Sequence, residues 1–95
     1  MLYTLAHSPQ HCDFGALIEL IGPDDVLLLM QDGVFAALQG SQALKQLTSR
    51  DLLVYALCED LQARGIAAQI SHNIAVIDYT GFVTLSEKHI QHIAW

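Results

Sequence analysis

The stretch from Val26 to Gly33 most constrains what this chain can fold into. Five consecutive apolar residues, ending at Met30, are followed by a polar corner, Gln31-Asp32-Gly33. The run lacks helical spacing and is too short to cross a bilayer, which needs about 20 residues. Such a run is typical of a strand buried on both faces, as in a parallel sheet covered by helices. Because ligands often bind at the carboxyl ends of such strands, the polar corner is a candidate site.

The rest of the chain alternates between strand-like and helix-like stretches. Further strands are predicted at residues 2–6, 52–57, 74–77 and 90–95, and residues 66–73 are predicted to be irregular. This alternation predicts an α/β fold, a three-layer α/β/α sandwich with a mainly parallel five-stranded sheet, in one domain spanning residues 1–95.

Four helical stretches are expected between the strands, and each has recognisable end signals. The first starts at Ser8-Pro9 and the second follows Asp32, with a further turn from Ser41. The third begins at Cys58 and ends at Arg64-Gly65, and the last opens at Asp78. The residues expected to face the core are Phe14, Leu17, Ile18 and Ile21, then Leu44 and Leu47, and finally Phe82, Val83 and Leu85.

The composition carries more apolar material than a small core can hide. Of the 95 residues, 53% are apolar and only 15% are charged, against about 25% charged in an average domain. A chain of this length buries only roughly 60–68% of its unfolded surface. We therefore expect part of the apolar surplus to lie in an interface with other subunits.

Charge and targeting signals narrow the function classes. The formal net charge is −6, which disfavours direct nucleic-acid binding, since that relies on basic patches. The four bases are scattered: Lys45, Arg50, Arg64 and Lys88. The first residues show no signal peptide or membrane segment, so a cytoplasmic location is expected. Two cysteines lie far apart without metal or redox spacing, and a disulfide scaffold is not expected.

Asp32 is the polar residue at the end of the most buried strand. A functional interpretation makes it a base, a metal ligand or a contact to a partner. The structural interpretation is an N-cap that accepts main-chain N–H bonds while Gly33 allows a tight turn. The second interpretation is favoured, because Asp is common between a strand and a helix.

Cys58 is the candidate nucleophile, since it stands where the third strand meets a helix. A helix N-terminus lowers a thiol pKa, as a persulfide carrier requires, but the adjacent Glu59 and Asp60 act in the opposite direction. Cysteine is also a common packing residue, so the structural role is favoured. Cys12 beside His11 forms no useful pair, because adjacent helical residues do not face one another.

No metal or cofactor site is predicted. His7 with His11, and His89 with His92, have spacings that place two rings on one helical face, yet no further ligand motif accompanies either pair. A Gly-rich phosphate loop and a Gly-x-Ser-x-Gly nucleophile elbow are both lacking.

Several sequence blocks, in the same order and spacing, resemble the TusB/DsrH family of small α/β proteins along essentially the whole chain. They are Leu5-Ala6-His7-Ser8-Pro9, residues 27–34, Val54-Tyr55-Ala56-Leu57, Glu59-Asp60-Leu61, Ala63-Arg64-Gly65, residues 77–83 and Ala94-Trp95.

This resemblance implies a cytoplasmic sulfur-relay subunit. Members of the TusB type assemble with TusC-like and TusD-like sisters into a heterohexamer with two copies of each. The complex passes persulfide sulfur to a TusE-like carrier for 2-thiolation of the tRNA wobble uridine. The sulfur-carrying cysteine belongs to the TusD-like sister, so the resemblance implies a non-catalytic subunit without a cofactor.

Two departures from the family pattern keep alternatives open. The DsrH branch, which serves sulfur oxidation, carries a cysteine in the first helix, and that place falls near Leu17 here. This favours the tRNA-thiolation branch over a DsrH-like subunit of a sulfur-oxidation complex. Cys58 does not match a cysteine of the TusB pattern, and a sulfurtransferase carrying persulfide on Cys58 is the other alternative. A homo-oligomer is also expected if the chain is expressed without its partners.

Overall fold

The structure, a computed structural model, describes residues 1–95 and contains five strands and four α-helices. The strands are β1 (Leu2–Leu5), β2 (Val26–Leu29), β3 (Leu53–Leu57), β4 (Ala75–Ile77) and β5 (His92–Ala94). The helices are α1 (Phe14–Leu20), α2 (Gln42–Thr48), α3 (Cys58–Ala63) and α4 (Tyr79–Lys88). Two 3-10 helices cover Pro9–His11 and Gln31–Ala37.

All five strands are parallel, in the order β4-β3-β2-β1-β5. The apolar run that begins at Val26 is the middle strand, and all four of its residues are buried. The predicted parallel α/β sheet and its central strand are therefore confirmed. No helix combines the length and apolar character needed to cross a membrane.

The two faces of the sheet are covered unequally. The first face packs against α1, α2 and α3 in a core of 18 buried residues, which includes the expected stripe of Phe14, Leu17, Ile18 and Ile21. The second face holds a cluster of only three buried residues, Leu2, Val26 and Leu28, with Phe82 and Leu85 of α4 packed on it. All 24 buried residues of the chain lie between Leu2 and Ile74. Residues 75–95 therefore contribute no fully buried side chain.

Most helix ends follow the predicted signals. Ser8 caps the first 3-10 helix, Ser41 caps α2 and Asp78 caps α4, each through a side-chain oxygen that accepts a main-chain N–H bond. Gly65 follows α3 with a φ of 67°, the left-handed conformation that favours glycine. At the end of α1 the Arg50 guanidinium donates to the carbonyl oxygens of Ile18 and Ile21. These carbonyl groups lack partners within the helix, and a cation also interacts favourably with the helix dipole there.

One side chain differs from the sequence expectation, whereas the predicted irregular segment 66–73 agrees with it. Val83, expected to face the core, is 39% exposed, because α4 turns Phe82 and Leu85 toward the sheet instead. Residues 66–73 form no strand or helix, yet they are held in place. Main-chain bonds join Gln39 N–H to Gln69 O and Ser71 N–H to Ala37 O, both at 2.9 Å.

Asp25 provides a measurable pH dependence at the entry to β2. Its carboxylate accepts the Gly22 N–H at 2.8 Å and the Met1 amino group at 3.0 Å, which lowers the pKa of Asp25. A lowered folded-state pKa contributes stability above the unfolded pKa, and that contribution is lost as the pH falls through the folded value. We expect Asp25→Asn to cost about 1 kcal/mol in unfolding free energy at neutral pH.

Urea unfolding across a pH series checks this prediction. The difference between wild type and Asp25→Asn should begin to shrink as the pH falls below the ordinary pKa of an unfolded Asp, about 4. It should disappear only at still lower pH, as the pH passes through the lowered folded-state pKa of Asp25. Asp24→Asn is the matched control, since the exposed Asp24 side chain makes no hydrogen bond within the chain. An equal loss of stability in both variants would show that the Asp25 contacts contribute nothing specific.

Candidate functional site at the carboxyl edge of the sheet

Both candidate residues lie at the carboxyl edge of the parallel sheet, where β2 and β3 end next to one another. Asp32 sits in the 3-10 helix that follows β2, and Cys58 is the first residue of α3, which β3 enters without an intervening loop. The register pairs Leu29 with Ala56, so the two strands end at similar heights. The topology therefore brings Asp32 and Cys58 to the same edge of the sheet.

Asp32 is not the predicted helix cap. The chain enters the 3-10 helix directly from Met30, whose side chain makes no capping bond, and this places Asp32 inside the first turn. Its Oδ1 instead lies 3.0 Å from Nε and 2.9 Å from Nη2 of Arg64, which extends from the end of α3. Because the Asp32 side chain is 60% exposed, solvent screens the ion pair, which is worth less than about 1 kcal/mol.

A second carboxylate fixes the turn before Asp32. Gln31 has a φ of 49°, unusual for a residue other than glycine, and its N–H donates to Oδ2 of Asp60 at 2.6 Å. Asp60 also binds Arg64, whose Nη1 lies 3.6 Å from Oδ1 and donates to the Asp60 carbonyl. Through these contacts Asp60 and Arg64 hold the end of β2 against α3. Only the Asp60–Arg64 spacing of four residues was visible in the sequence, as a helical ion pair.

Cys58 has a free, half-buried thiol. The carboxylates that follow it are occupied elsewhere, since Glu59 Oε2 accepts the Tyr79 N–H at 3.1 Å and Asp60 holds Gln31. Nucleophilic catalysis by a thiol requires a nearby base or cation that favours the thiolate. The Cys58 sulfur makes no hydrogen bond to such a group within this chain.

The remaining polar candidates do not assemble into a site with Cys58. Burial raises the pKa of the Cys12 thiol, and the adjacent Asp13 carboxylate raises it further, so Cys12 stays protonated at neutral pH. The His7 ring contacts the Trp95 carbonyl at 3.3 Å, and the His92 ring contacts the His89 carbonyl at 2.9 Å. No group of three His, Cys, Asp or Glu side chains could hold a metal ion.

Comparison with known proteins identifies the family. The model of the family described as "DsrH like protein" matches residues 7–92. The chain is 48% identical to Protein TusB of Yersinia pestis (strain Pestoides F) over 95 residues, which covers all of both chains. The same identity and coverage hold for Protein TusB of Yersinia pseudotuberculosis serotype O:1b (strain IP 31758).

Solved structures agree with the fold. The ychN protein from E. coli superposes with a TM-score of 0.78 at 18% identity, covering 99% of this chain and 97% of that one. A Thermotoga maritima protein solved by NMR gives a TM-score of 0.67 at 28% identity, covering 96% of this chain and 100% of that one. Together with the match over the whole length, these findings show that the chain belongs to the DsrH/TusB family.

Proposed function

We propose that this protein is a non-catalytic subunit of a TusBCD-type sulfur-relay complex in the cytoplasm. Its partners are TusC-like and TusD-like sisters, two copies of each chain forming a heterohexamer. The complex passes persulfide sulfur to a TusE-like carrier for 2-thiolation of the tRNA wobble uridine. This chain makes no direct contact with nucleic acid or membrane and needs no cofactor.

Beside family membership, the observation that carries the proposal is the incompletely covered second face of the sheet. Parallel sheets normally have both faces covered, yet here α4 alone packs on the second face and none of its residues is buried. Leu53 of β3, on the same face as Tyr55 by strand alternation, is 52% exposed. Tyr79 of α4 is 61% exposed. A subunit with such a surface gains stability when a partner buries it.

Acidic charge supports the same assignment. With a net charge of −6, the chain is poorly suited to bind the phosphate backbone of a tRNA. Another protein of the sulfur relay therefore contacts the substrate RNA. The two carboxylates after Cys58 hold neighbouring elements in place, since Asp60 accepts the Gln31 N–H and Glu59 accepts the Tyr79 N–H. This chain therefore supports the chemistry of its partners by burying its apolar surface against them and holding them in position.

Co-expression with TusC-like and TusD-like proteins tests the proposal. An affinity tag on this chain should recover both sisters in equal amounts, and the assembly should elute as one species in size-exclusion chromatography. A chain that stays monomeric and never associates with them would overturn the proposal. Alone, the chain is expected to form homo-oligomers through the same exposed apolar residues.

The second candidate function is a sulfurtransferase that carries persulfide on Cys58, and the free thiol at a strand end favours it. We expect Cys58→Ala to leave wobble-uridine thiolation unchanged in cells, because no neighbouring group activates this sulfur. Mass spectrometry of tRNA nucleosides measures the thiolated fraction. Cys12→Ala is the matched control for loss of a thiol. A large drop in thiolation for Cys58→Ala alone, with assembly intact, would establish the enzymatic function instead.

A DsrH-like subunit of a sulfur-oxidation complex is the remaining alternative. That role places a cysteine in the first helix, near the position of Leu17. Leu17 is fully buried in the main core, and no cysteine lies within α1. The position is therefore filled by a packing residue, which supports the tRNA-thiolation branch.

A further inference from the structure

A cleft of about 490 Å³ lies on the first face of the sheet, away from α4. It forms where the two 3-10 helices meet α1 and α2. Its apolar part consists of Phe14, Phe35, Leu38 and Ala43. Phe14 is buried, whereas Phe35, Leu38 and Ala43 are only half-buried, so these three present apolar surface to the cleft.

Not one of the ten residues that line the cleft is charged. The whole chain has ten acidic and four basic residues, so the cleft is an uncharged region of an acidic protein. An anionic ligand such as a phosphate or carboxylate lacks a cation to pair with there. A cationic ligand equally lacks a carboxylate. The cleft therefore selects an uncharged occupant.

The polar residues that line the cleft are three exposed glutamines, Gln10, Gln42 and Gln46, together with Ser8 and Ser41. The two serine hydroxyls already cap helices, which leaves the glutamine side chains for a ligand. The three glutamines take part in hydrogen bonds only through main-chain atoms, as when Gln10 N–H donates to Ser8 and the Gln46 carbonyl accepts from Ser49. Each free carboxamide offers two N–H donors and one carbonyl acceptor. Another amide group meets both requirements at once, by one bond in each direction.

Size separates a small ligand from a protein partner. Small-molecule sites typically measure about 300–1,000 Å³, and the cleft falls within that range. A stable protein interface uses about 20–30 residues on each side, more than the ten that line the cleft. The dimensions thus favour a small molecule.

We infer that this cleft binds a small uncharged molecule with a carboxamide or lactam edge next to a flat apolar ring. The amide edge bonds with the carboxamides of Gln42 and Gln46, and the ring packs on Phe35 and Leu38. The site is independent of the proposed function, because it lies on the opposite face of the sheet from α4.

Benzamide and benzoate are the probes, since they share a ring and shape and differ in the carboxamide. We expect benzamide to bind isotopically labelled protein with a Kd of about 1 mM, a value typical of so small a ligand. Its NMR shift changes should concentrate on the side-chain NH₂ signals of the three glutamines and on Phe35. Benzoate should bind at least about tenfold more weakly, because its charge finds no partner.

Variants of residues that line the cleft test whether the benzamide-induced NMR shift changes arise from binding there. Ala43→Phe fills the space and should abolish benzamide binding, and Gln42→Leu and Gln46→Leu should each weaken it several-fold. Gln62→Leu is the matched control, because Gln62 is exposed on α3 outside the cleft. Unchanged shifts of distant amides in every variant establish that the fold is retained.

Four results would overturn the inference. The first is benzoate binding as tightly as benzamide, the second is a shift map centred outside the cleft, and the third is no saturable benzamide binding. Benzamide binding that survives Ala43→Phe would equally exclude the cleft. Loss of assembly with sister subunits would bear only on the proposed function, since it leaves benzamide binding by the isolated chain unaffected.

Discussion

Gly33→Ala is expected to destabilise the protein by about 3 kcal/mol or more, a loss large enough to unfold a marginally stable domain. A Cβ atom at this position would lie 2.0 Å from the Leu5 carbonyl oxygen and 2.7 Å from its carbon. That oxygen already accepts the Met30 N–H at 2.9 Å. Because both neighbours are main chain, relief of the clash requires moving β1 away from the end of β2.

Urea unfolding followed by circular dichroism measures this effect. Gly15→Ala is the matched control, because Gly15 is exposed in α1 and a Cβ there would have no neighbour closer than 4.0 Å. In that helical position alanine should increase the unfolding free energy by up to about 1 kcal/mol. If Gly33→Ala were as stable as wild type, the close approach of the two main-chain segments would be wrong.

Val83→Glu combined with Leu53→Glu is expected to abolish recovery of the sister subunits while the chain remains folded. Val83 is 39% and Leu53 is 52% exposed, so charges at these sites stay partly solvated in the isolated chain. An interface that covers them buries both carboxylates without partners, and each such loss costs about 2 kcal/mol or more. Together these losses of about 4 kcal/mol or more correspond to association weaker by at least about 500-fold.

The assay is co-purification with TusC-like and TusD-like proteins, with circular dichroism to verify the fold. Gln62→Glu with Gln69→Glu introduces the same charge at exposed positions outside β3 and α4 and should not affect recovery. Intact recovery of both sisters with the Val83 and Leu53 double variant would place the interface elsewhere on the chain.

Strongly patterned elements were predictable from the sequence because local spacing alone specifies them. The stripe from Phe14 to Ile21 could pack only as an amphipathic helix, and the run at Val26 could be buried only as a strand. The 3-10 helix after Met30 was not predictable, since its geometry depends on how closely Gly33 approaches β1. The exposure of Val83 depends on how α4 sits on the sheet, which its own residues do not determine.

The sequence could predict that Asp32 and Cys58 lie at the carboxyl edge of the sheet, but it could not predict which residues they contact. A strand that ends in Asp32 and another that leads into Cys58 both place polar residues at the carboxyl edge of a parallel sheet. The Asp32–Arg64 pair joins residues 32 positions apart, which only the folded chain brings together. The uncharged cleft is assembled from three separate segments of the chain, so no local sequence motif predicts it.

The concentration of all buried side chains before residue 75 has a consequence for cooperativity. The last strand and the Trp95 that follows it are held by main-chain bonds, such as Trp95 N–H to Thr4 O at 2.8 Å and Ala6 N–H to Trp95 O at 3.1 Å. Their side chains on the core, Ile93 and Trp95, are only partly buried. Segments with few buried contacts open at lower free energy than the core, so their amides exchange with solvent sooner. We therefore expect residues 75–95 to open without global unfolding, which exposes this end of an unassembled chain to proteases first. On the proposed function, sister subunits that bind α4 would keep this end closed, so proteases would remove unpartnered copies selectively.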